Sequence, residues 1–300
     1  MTTAEGEVDV RTGAIADLTR INLDDLVLSF GWQDRPLLAG MARRLLRNPA
    51  QKFARQIVEF DTAVGRDGLV SASRQTLSNY VNDVRVFGRE RIPVGSFLAL
   101  SNHPGLCDAL SLFGALNRPD LLVVALRRPF LQALPNTSKH LACLPDEASA
   151  HAAVVRQVRA HLRKGGAALS FPAGHIEPDP DIYGGAARSL ESWAQSAGMF
   201  VRLAPETALL PVLVRGVVWP RVNCGRLGGD KVGAALQLLA NVALKVRPVS
   251  ISVQIGRPIF ARDLGSTKSE VLHQAVLAEM GAMIVNRPDC GGESLVTEVC

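Results

Sequence analysis

Three hundred residues, 47% of them hydrophobic and only 5% aromatic, are enough for one large aliphatic-packed α/β domain or one domain with a helical extension, and exclude a disordered chain. The net charge of +5, from 33 basic and 28 acidic side chains, favours anionic partners, and with no paired zinc-ligand spacing or RNA-binding signature those partners read as phosphate or lipid, not nucleic acid. Five dispersed cysteines (Cys107, Cys143, Cys224, Cys290 and Cys300) predict reduced thiols in a reducing compartment, and neither a secretory signal nor a membrane-spanning run is evident, the best apolar stretch being Val232 to Leu244 against the roughly 20 residues a span needs.

Residues 1–82 read as a helical region. Leu37, Leu38, Met41, Leu45 and Leu46 recur near helical spacing, and Phe53, Ile57 and Val58 continue past Pro49. Arg43, Arg44, Arg47, Lys52 and Arg55 crowd the same segment, so the helix either lies on an anionic membrane or caps the main domain with a solvated basic face. Residues 83–290 then alternate strands and helices. Val84 to Gly88, Phe97 to Ser101, Leu121 to Leu126, Ala167 to Phe171, Leu209 to Val218 and Val249 to Ile255 are the expected strands. Leu106 to Asn117, Glu147 to Lys164, Ala186 to Arg202, Val232 to Leu244 and Lys268 to Val285 are the expected helices, and 291–300 is a tail. The alternation predicts a mostly parallel sheet flanked by helices, with an N-terminal helical extension.

Chemistry concentrates at two strand ends. After the first apolar strand comes Asn102-His103-Pro104-Gly105-Leu106-Cys107-Asp108. Five positions along an ideal helix turn about 500°, which leaves such a pair about 140° from facing. His103 and Asp108 can meet if His103 precedes the helix, Pro104 takes its first turn and Asp108 rises just behind. The carboxylate then fixes the imidazole tautomer and leaves the other ring nitrogen as a base. No G-x-S-x-G nucleophile elbow is present, so the attacking group is expected to come from the substrate. Phe171-Pro172-Ala173-Gly174-His175 follows another strand, and Gly174 there lets backbone N–H groups approach an anionic group closely. His175, Glu177, Asp179 and Asp181 offer imidazole and carboxylate ligands, but no second ligand cluster accompanies them; the loop reads as solvated and no metal is assigned. Gly225 to Lys231 imitates a phosphate loop without its G-K-[S/T] ending, and His140, His151 and His161 read as surface or packing residues.

Together these residues resemble the glycerolipid acyltransferase family, whose best-known members are lysophosphatidate acyltransferases. The N-H-x4-D motif is matched by Asn102, His103 and Asp108; F-P-E-G by Phe171, Pro172 and Gly174; and an apolar strand containing P-V by Pro211-Val212. The resemblance covers roughly Val84 to Ile259. Four positions depart from it. Acid (Cys143 to Glu147) stands where the family's second motif ends in a phosphate-holding arginine, Ala173 replaces the glutamate, His175 the usual threonine, and Gly184 a lysine. Arg127, Arg128 and Arg188 are then the candidate sources of positive charge.

The resemblance implies acyl transfer from a thioester, acyl-CoA or acyl carrier protein, to a lipid hydroxyl such as that of 1-acylglycerol 3-phosphate. His103 would be the base, Asp108 its orienter, and Asn102, Phe171, Pro172, Gly174 and His175 would line the substrate site, with donors near Gly174 or Asn102 for the oxyanion. It implies no bound cofactor and no metal, a lipid acceptor, and a peripheral location on the cytoplasmic membrane face; oligomeric state is left open. Two other readings stand beside it: a non-catalytic membrane-binding protein with a decayed acyltransferase fold, and a metal-dependent hydrolase using His103, Asp108, His175 and Glu177.

Overall fold

The computed structural model describes residues 2–105, 107–145, 147, 151–195, 197–222, 229–288 and 291–296, with the backbone alone at 2–10, 197, 203, 222 and 229–235. The phosphate-loop imitation at Gly225 to Lys231 therefore falls wholly outside the described side chains, as do Cys224, Cys290 and Cys300, while Cys107 and Cys143 are free thiols.

Three helices open the chain: α1 (Thr2–Ser29), α2 (Pro36–Asp67) and α3 (Leu69–Leu77). Pro36 sits in the first turn of α2, where its missing N–H leaves nothing unpaired. Gly68, at φ 82°, separates α2 from α3, a backbone conformation that strongly favours glycine. The first half of α2 packs on α1 through Val27, Ala39 and Ala42. The second half enters the main core, where Phe60, Ala63 and Val64 join the sheet residues Val84, Phe97 and Val212. Buried Asp61 adds a polar tie, accepting from the Thr137 backbone N–H at 2.7 Å and its hydroxyl at 2.8 Å.

Strands β1 (Asp83–Phe87), β2 (Phe97–Ser101), β3 (Leu122–Leu126), β4 (Leu141–Leu144), β5 (Ala167–Ser170), β6 (Ala208–Arg215), β7 (Ser250–Ile255) and β8 (Glu293–Ser294) form an eight-stranded sheet in the order β4-β3-β5-β2-β6-β7-β1-β8. Its pairs are parallel except β6–β7 and β1–β8. Strand β4 was not among the expected strands, because four residues of Leu-Ala-Cys-Leu carry no decisive period; its pairing with β3 makes it a strand. Within the segment expected as a tail, β8 pairs with β1 and Leu295 is buried.

The two-residue period of the strands sorts the core into two layers. Phe97 and Ala99 of β2 face one side, with α4 (Asp108–Leu116) and α3; Leu98 and Leu100 face the other, with α6 (His151–Arg163), α8 (Ala197–Leu203) and α10 (Ser269–Val285), and α5 (Pro129–Gln132) and α9 (Gly229–Leu244) fall between these in the chain. Both faces of β2 are covered, which is why it reads as an unbroken apolar run.

Two expected helices differ. The one expected over Leu106 to Asn117 begins at Asp108, with Cys107 before it in a left-handed conformation (φ 73°), so Pro104 lies in the preceding turn and not in the helix. The one expected over Ala186 to Arg202 is broken into α7 (Ala186–Ser189), a 3-10 turn at Leu190–Ser192 and α8. Trp193 is extended there, with its indole N–H on Glu177 (2.8 Å), and Ala194 N–H donates to Pro172 O (3.1 Å). Those tertiary bonds outweigh continued helix.

Candidate active site

The sheet order sets the location. From β2 the chain crosses to β3 on one side, while from adjacent β5 it crosses to β6 on the other. In open α/β sheets such a reversal leaves a crevice beyond the C-terminal strand ends. His103 leaves the end of β2 and Phe171 the end of β5, and their rings lie 4.5 Å apart, tilted by 33°.

His103 Nδ1 lies 2.7 Å from Asp108 Oδ2. A carboxylate can only accept, so Nδ1 carries a proton, and in the neutral imidazole Nε2 keeps its lone pair. The turn between them makes this meeting possible. Gly105 adopts φ 123° and Cys107 φ 73°; the latter costs a residue with a β-carbon about 1–2 kcal/mol. Asp108 meets that cost with two more bonds: Oδ2 accepts Gly105 N–H (3.0 Å) and Oδ1 accepts Ala109 N–H (2.6 Å). The carboxylate is 2% exposed and the imidazole 31%, so the dyad is a buried anion under a partly accessible base. Burial works against the imidazolium, but the charge and hydrogen bond of Asp108, with the charge of Glu177, outweigh it and hold His103 above the ordinary imidazole value. Cys107 is no rival nucleophile, because burial and the neighbouring Asp108 push its thiol pKa up.

Several of the expected site residues have structural partners of their own. Asn102 acts as a strand extender. Its Nδ2 donates to Val214 O and its Oδ1 accepts Val214 N–H, both at 2.8 Å, which continues the β2–β6 ladder by one side chain; it is 3% exposed. The Gly174 N–H is not a free donor for an oxyanion, because it closes the turn onto Phe171 O at 3.1 Å. Glycine is needed there for its φ of 69°, since a β-carbon would meet nothing. His175 is exposed, with Nδ1 2.7 Å from Ala173 O. Arg127 and Arg128, just past β3, and Arg188 on α7 are all exposed; Arg128 interacts electrostatically with Asp25 of α1, and no described contact joins any of the three to the dyad.

The loop expected to be solvated instead carries two buried carboxylates, Glu177 at 1% exposure and Asp179 at 0%. Asp179 accepts the backbone N–H groups of Asp181, Gly216, Val217 and Val218, at 2.6–3.0 Å, and pins the exit of β6. Glu177 reaches the dyad: Oε2 accepts His103 N–H (3.0 Å), Oε1 accepts the Trp193 indole (2.8 Å) and the Ser189 hydroxyl (3.0 Å), and Glu177 N–H donates to His103 O (2.8 Å). Burial pushes its pKa up, against those donors and His175. This contact is not among those expected from the sequence. The one available cue was the alternation of Glu177 and Asp179 between Pro178 and Pro180, which favours extended backbone and sets both acids on one side. Among the described residues no group of three His, Cys, Asp or Glu side chains is arranged to hold a metal ion. The carboxylates of the hydrolase reading are occupied by N–H and O–H donors.

No protein-family model and no curated protein matches the chain. Among solved structures it is similar to the 1-acyl-sn-glycerophosphate (LPA) acyltransferase PlsC from Thermotoga maritima, at 17% identity and a TM-score of 0.48, over 95% of this chain and 98% of that one.

Proposed function

We propose that this chain is an acyltransferase of lipid metabolism, which moves a fatty acyl group from a thioester (acyl-CoA or acyl carrier protein) to a lipid hydroxyl. The observation that carries the reading is the 2.7 Å His103–Asp108 dyad with a partly exposed imidazole and, among the described residues, no partner nucleophile. Among nearby candidates, Ser111 donates its hydroxyl to Cys107 O, the Ser189 hydroxyl is engaged by Glu177 and Ala186 O, and the Cys107 thiol stays protonated. The hydroxyl that reacts is then the acceptor's own. Nε2 of His103 takes its proton as the oxygen attacks the thioester carbonyl. The tetrahedral intermediate collapses, the C–S bond breaks, and the leaving sulfur takes the proton back from the imidazolium stabilised by Asp108. An acceptor of the 1-acylglycerol 3-phosphate type would place its phosphate toward Arg127, Arg128 or Arg188. A screen with labelled acyl-CoA tests this, using lysophosphatidate, glycerol 3-phosphate and non-phosphorylated lipid alcohols as acceptors. Turnover on any of them supports transfer; vesicle binding with no turnover on all three classes would favour the non-catalytic membrane protein.

The base must be neutral to work, and its pKa is raised. The acidic limb of kcat/KM should therefore rise with pH through a midpoint above the ordinary histidine value of about 6.5. A midpoint below that value in a pH–rate series would remove His103 as the titrating base.

Among the described residues no helix is long and apolar enough to cross a membrane. A peripheral attachment is the reading we favour. Leu37, Met41 and Leu45 recur every fourth residue along α2 with most of each side chain in solvent, beside exposed Arg44, Arg47 and Lys52. Such a stripe suits the boundary of an anionic bilayer. The triple variant Leu37→Ser, Met41→Ser, Leu45→Ser should lose co-sedimentation with vesicles of anionic phospholipid while keeping its thermal midpoint; unchanged sedimentation would leave the stripe without a membrane role.

A further inference from the structure

The bonds between Glu177 and His103 link the loop after β5 to the turn after β2, and nothing in the dyad itself requires them. The His103 main chain is held on both sides: its N–H by the Glu177 carboxylate (3.0 Å) and its C=O by the Glu177 N–H (2.8 Å). The carboxylate is held in turn by the Trp193 indole and the Ser189 hydroxyl, so its orientation is set by groups outside the site. Each oxygen faces an N–H that can only donate, Oε2 that of His103 and Oε1 that of the Trp193 indole, while the Ser189 hydroxyl beside Oε1 also reaches Ala186 O at 2.8 Å. A carboxylate buried at 1% exposure is costly, and a poor choice if the only need were packing.

We propose that Glu177 is a positioning residue for the transfer reaction: it fixes the His103 main chain so that the imidazole meets Asp108 on one side and the acceptor hydroxyl on the other. The inference rests on the acyltransferase reading for its reaction, and on the geometry alone for its contact with His103. A general base works only within hydrogen-bond reach, and misplacement by about 1 Å can cost about 10²-fold in rate. Among the described residues, the charged groups acting on His103 are Asp108 from α4 and Glu177 from the loop after β5, with His175 acting on Glu177. Both acids favour the imidazolium that forms as the acceptor proton is taken.

The test is Glu177→Gln. Glutamine keeps the shape but offers one acceptor oxygen. Turned toward His103, it sets its NH2 against the Trp193 indole N–H; turned toward Trp193, it sets the NH2 against the His103 N–H. One bond is lost either way, and the charge is lost in both. The expected results are a kcat reduced by about tenfold to 10²-fold with KM little changed, and a His103 imidazole titration, followed by NMR without substrate, moved to lower pH. A wild-type titration midpoint together with a wild-type kcat in the folded variant would overturn the proposal. A purely architectural glutamate would lower the thermal midpoint and leave the titration where it is, which also overturns it. If the variant does not fold, the wild-type protein still decides. The His103 amide proton, donated to a carboxylate, should lie downfield and exchange slowly, and an ordinary shift with fast exchange would refute the contact. The imidazole and amide measurements need no substrate. A failure of the acyltransferase reading would appear as no turnover in wild type, and a failure of this inference as an unmoved titration.

Discussion

Replacing His103 with alanine should abolish measurable acyl transfer and leave the protein folded. The rate loss expected from removing a positioned general base is about 10²–10⁴-fold. The fold should tolerate the change because the contacts that His103 makes to the framework are main-chain ones. Its N–H and C=O are bonded to Glu177, and alanine keeps both. What disappears is an imidazole 31% exposed, its contact with Phe171 and its bond to Asp108. The buried carboxylate keeps Gly105 and Ala109 N–H as partners, so it is not orphaned. Labelled acyl transfer measured beside the thermal midpoint checks both halves, and a folded variant with wild-type rates would remove His103 from the mechanism.

Asp108→Asn should be nearly as severe, for a different reason. The aspartate is acceptor-only and receives three N–H groups: His103 Nδ1–H and Gly105 N–H on Oδ2, Ala109 N–H on Oδ1. An amide has one oxygen to offer. If its NH2 faces His103, the imidazole proton is driven to Nε2, the base is lost and Gly105 N–H goes unpaired. If it faces Ala109, a backbone N–H at the start of α4 is left opposed to a donor. The first arrangement is the tautomer error that costs triad enzymes about 10⁴-fold in kcat. The second costs about 1–3 kcal/mol of stability through the buried unsatisfied group, beside a turn already strained at Cys107. In both, the negative charge that raises the His103 pKa is gone, so any residual activity should have its acidic limb at lower pH than wild type. Residual kcat, its pH profile and the thermal midpoint, measured together, assign the loss to tautomer or to turn; a variant unchanged in all three would remove Asp108 from the dyad.

Both predictions stand on a pair legible in the order of the amino acids alone. Asn102 to Asp108 marked itself by residue type, by its strand-like lead-in and by a spacing that cannot pair within one helix. The meeting of His103 and Asp108 follows from that local chemistry, although the turn is made by Gly105 and Cys107 with Pro104 outside the helix. The apolar runs of β2, β5 and β6 were equally legible, since strands covered on both faces must be continuously hydrophobic. Four-residue β4 was not, because a run that short has no period to read.

The surroundings of the dyad are less legible, because the deciding partners are distant in the chain. Val214, 112 residues from Asn102, takes both ends of its amide. Glu177 and Asp179 looked like solvated loop acids, as acids between prolines usually are. Their burial is decided by donors on His103, 74 residues before Glu177, and on Gly216 to Val218, 37 to 39 residues after Asp179. The helix expected through Trp193 broke for the same reason: local propensity is worth tenths of a kcal/mol per residue, and a hydrogen bond to a buried carboxylate about 1.5–3 kcal/mol. Local chemistry, written in adjacent residues, thus determined the longer strands, the layered α/β class and the His103–Asp108 pair. Only the tertiary structure decided what holds that pair in place, because a buried charge is tolerable only where the fold brings it donors, and those donors are spread along the chain.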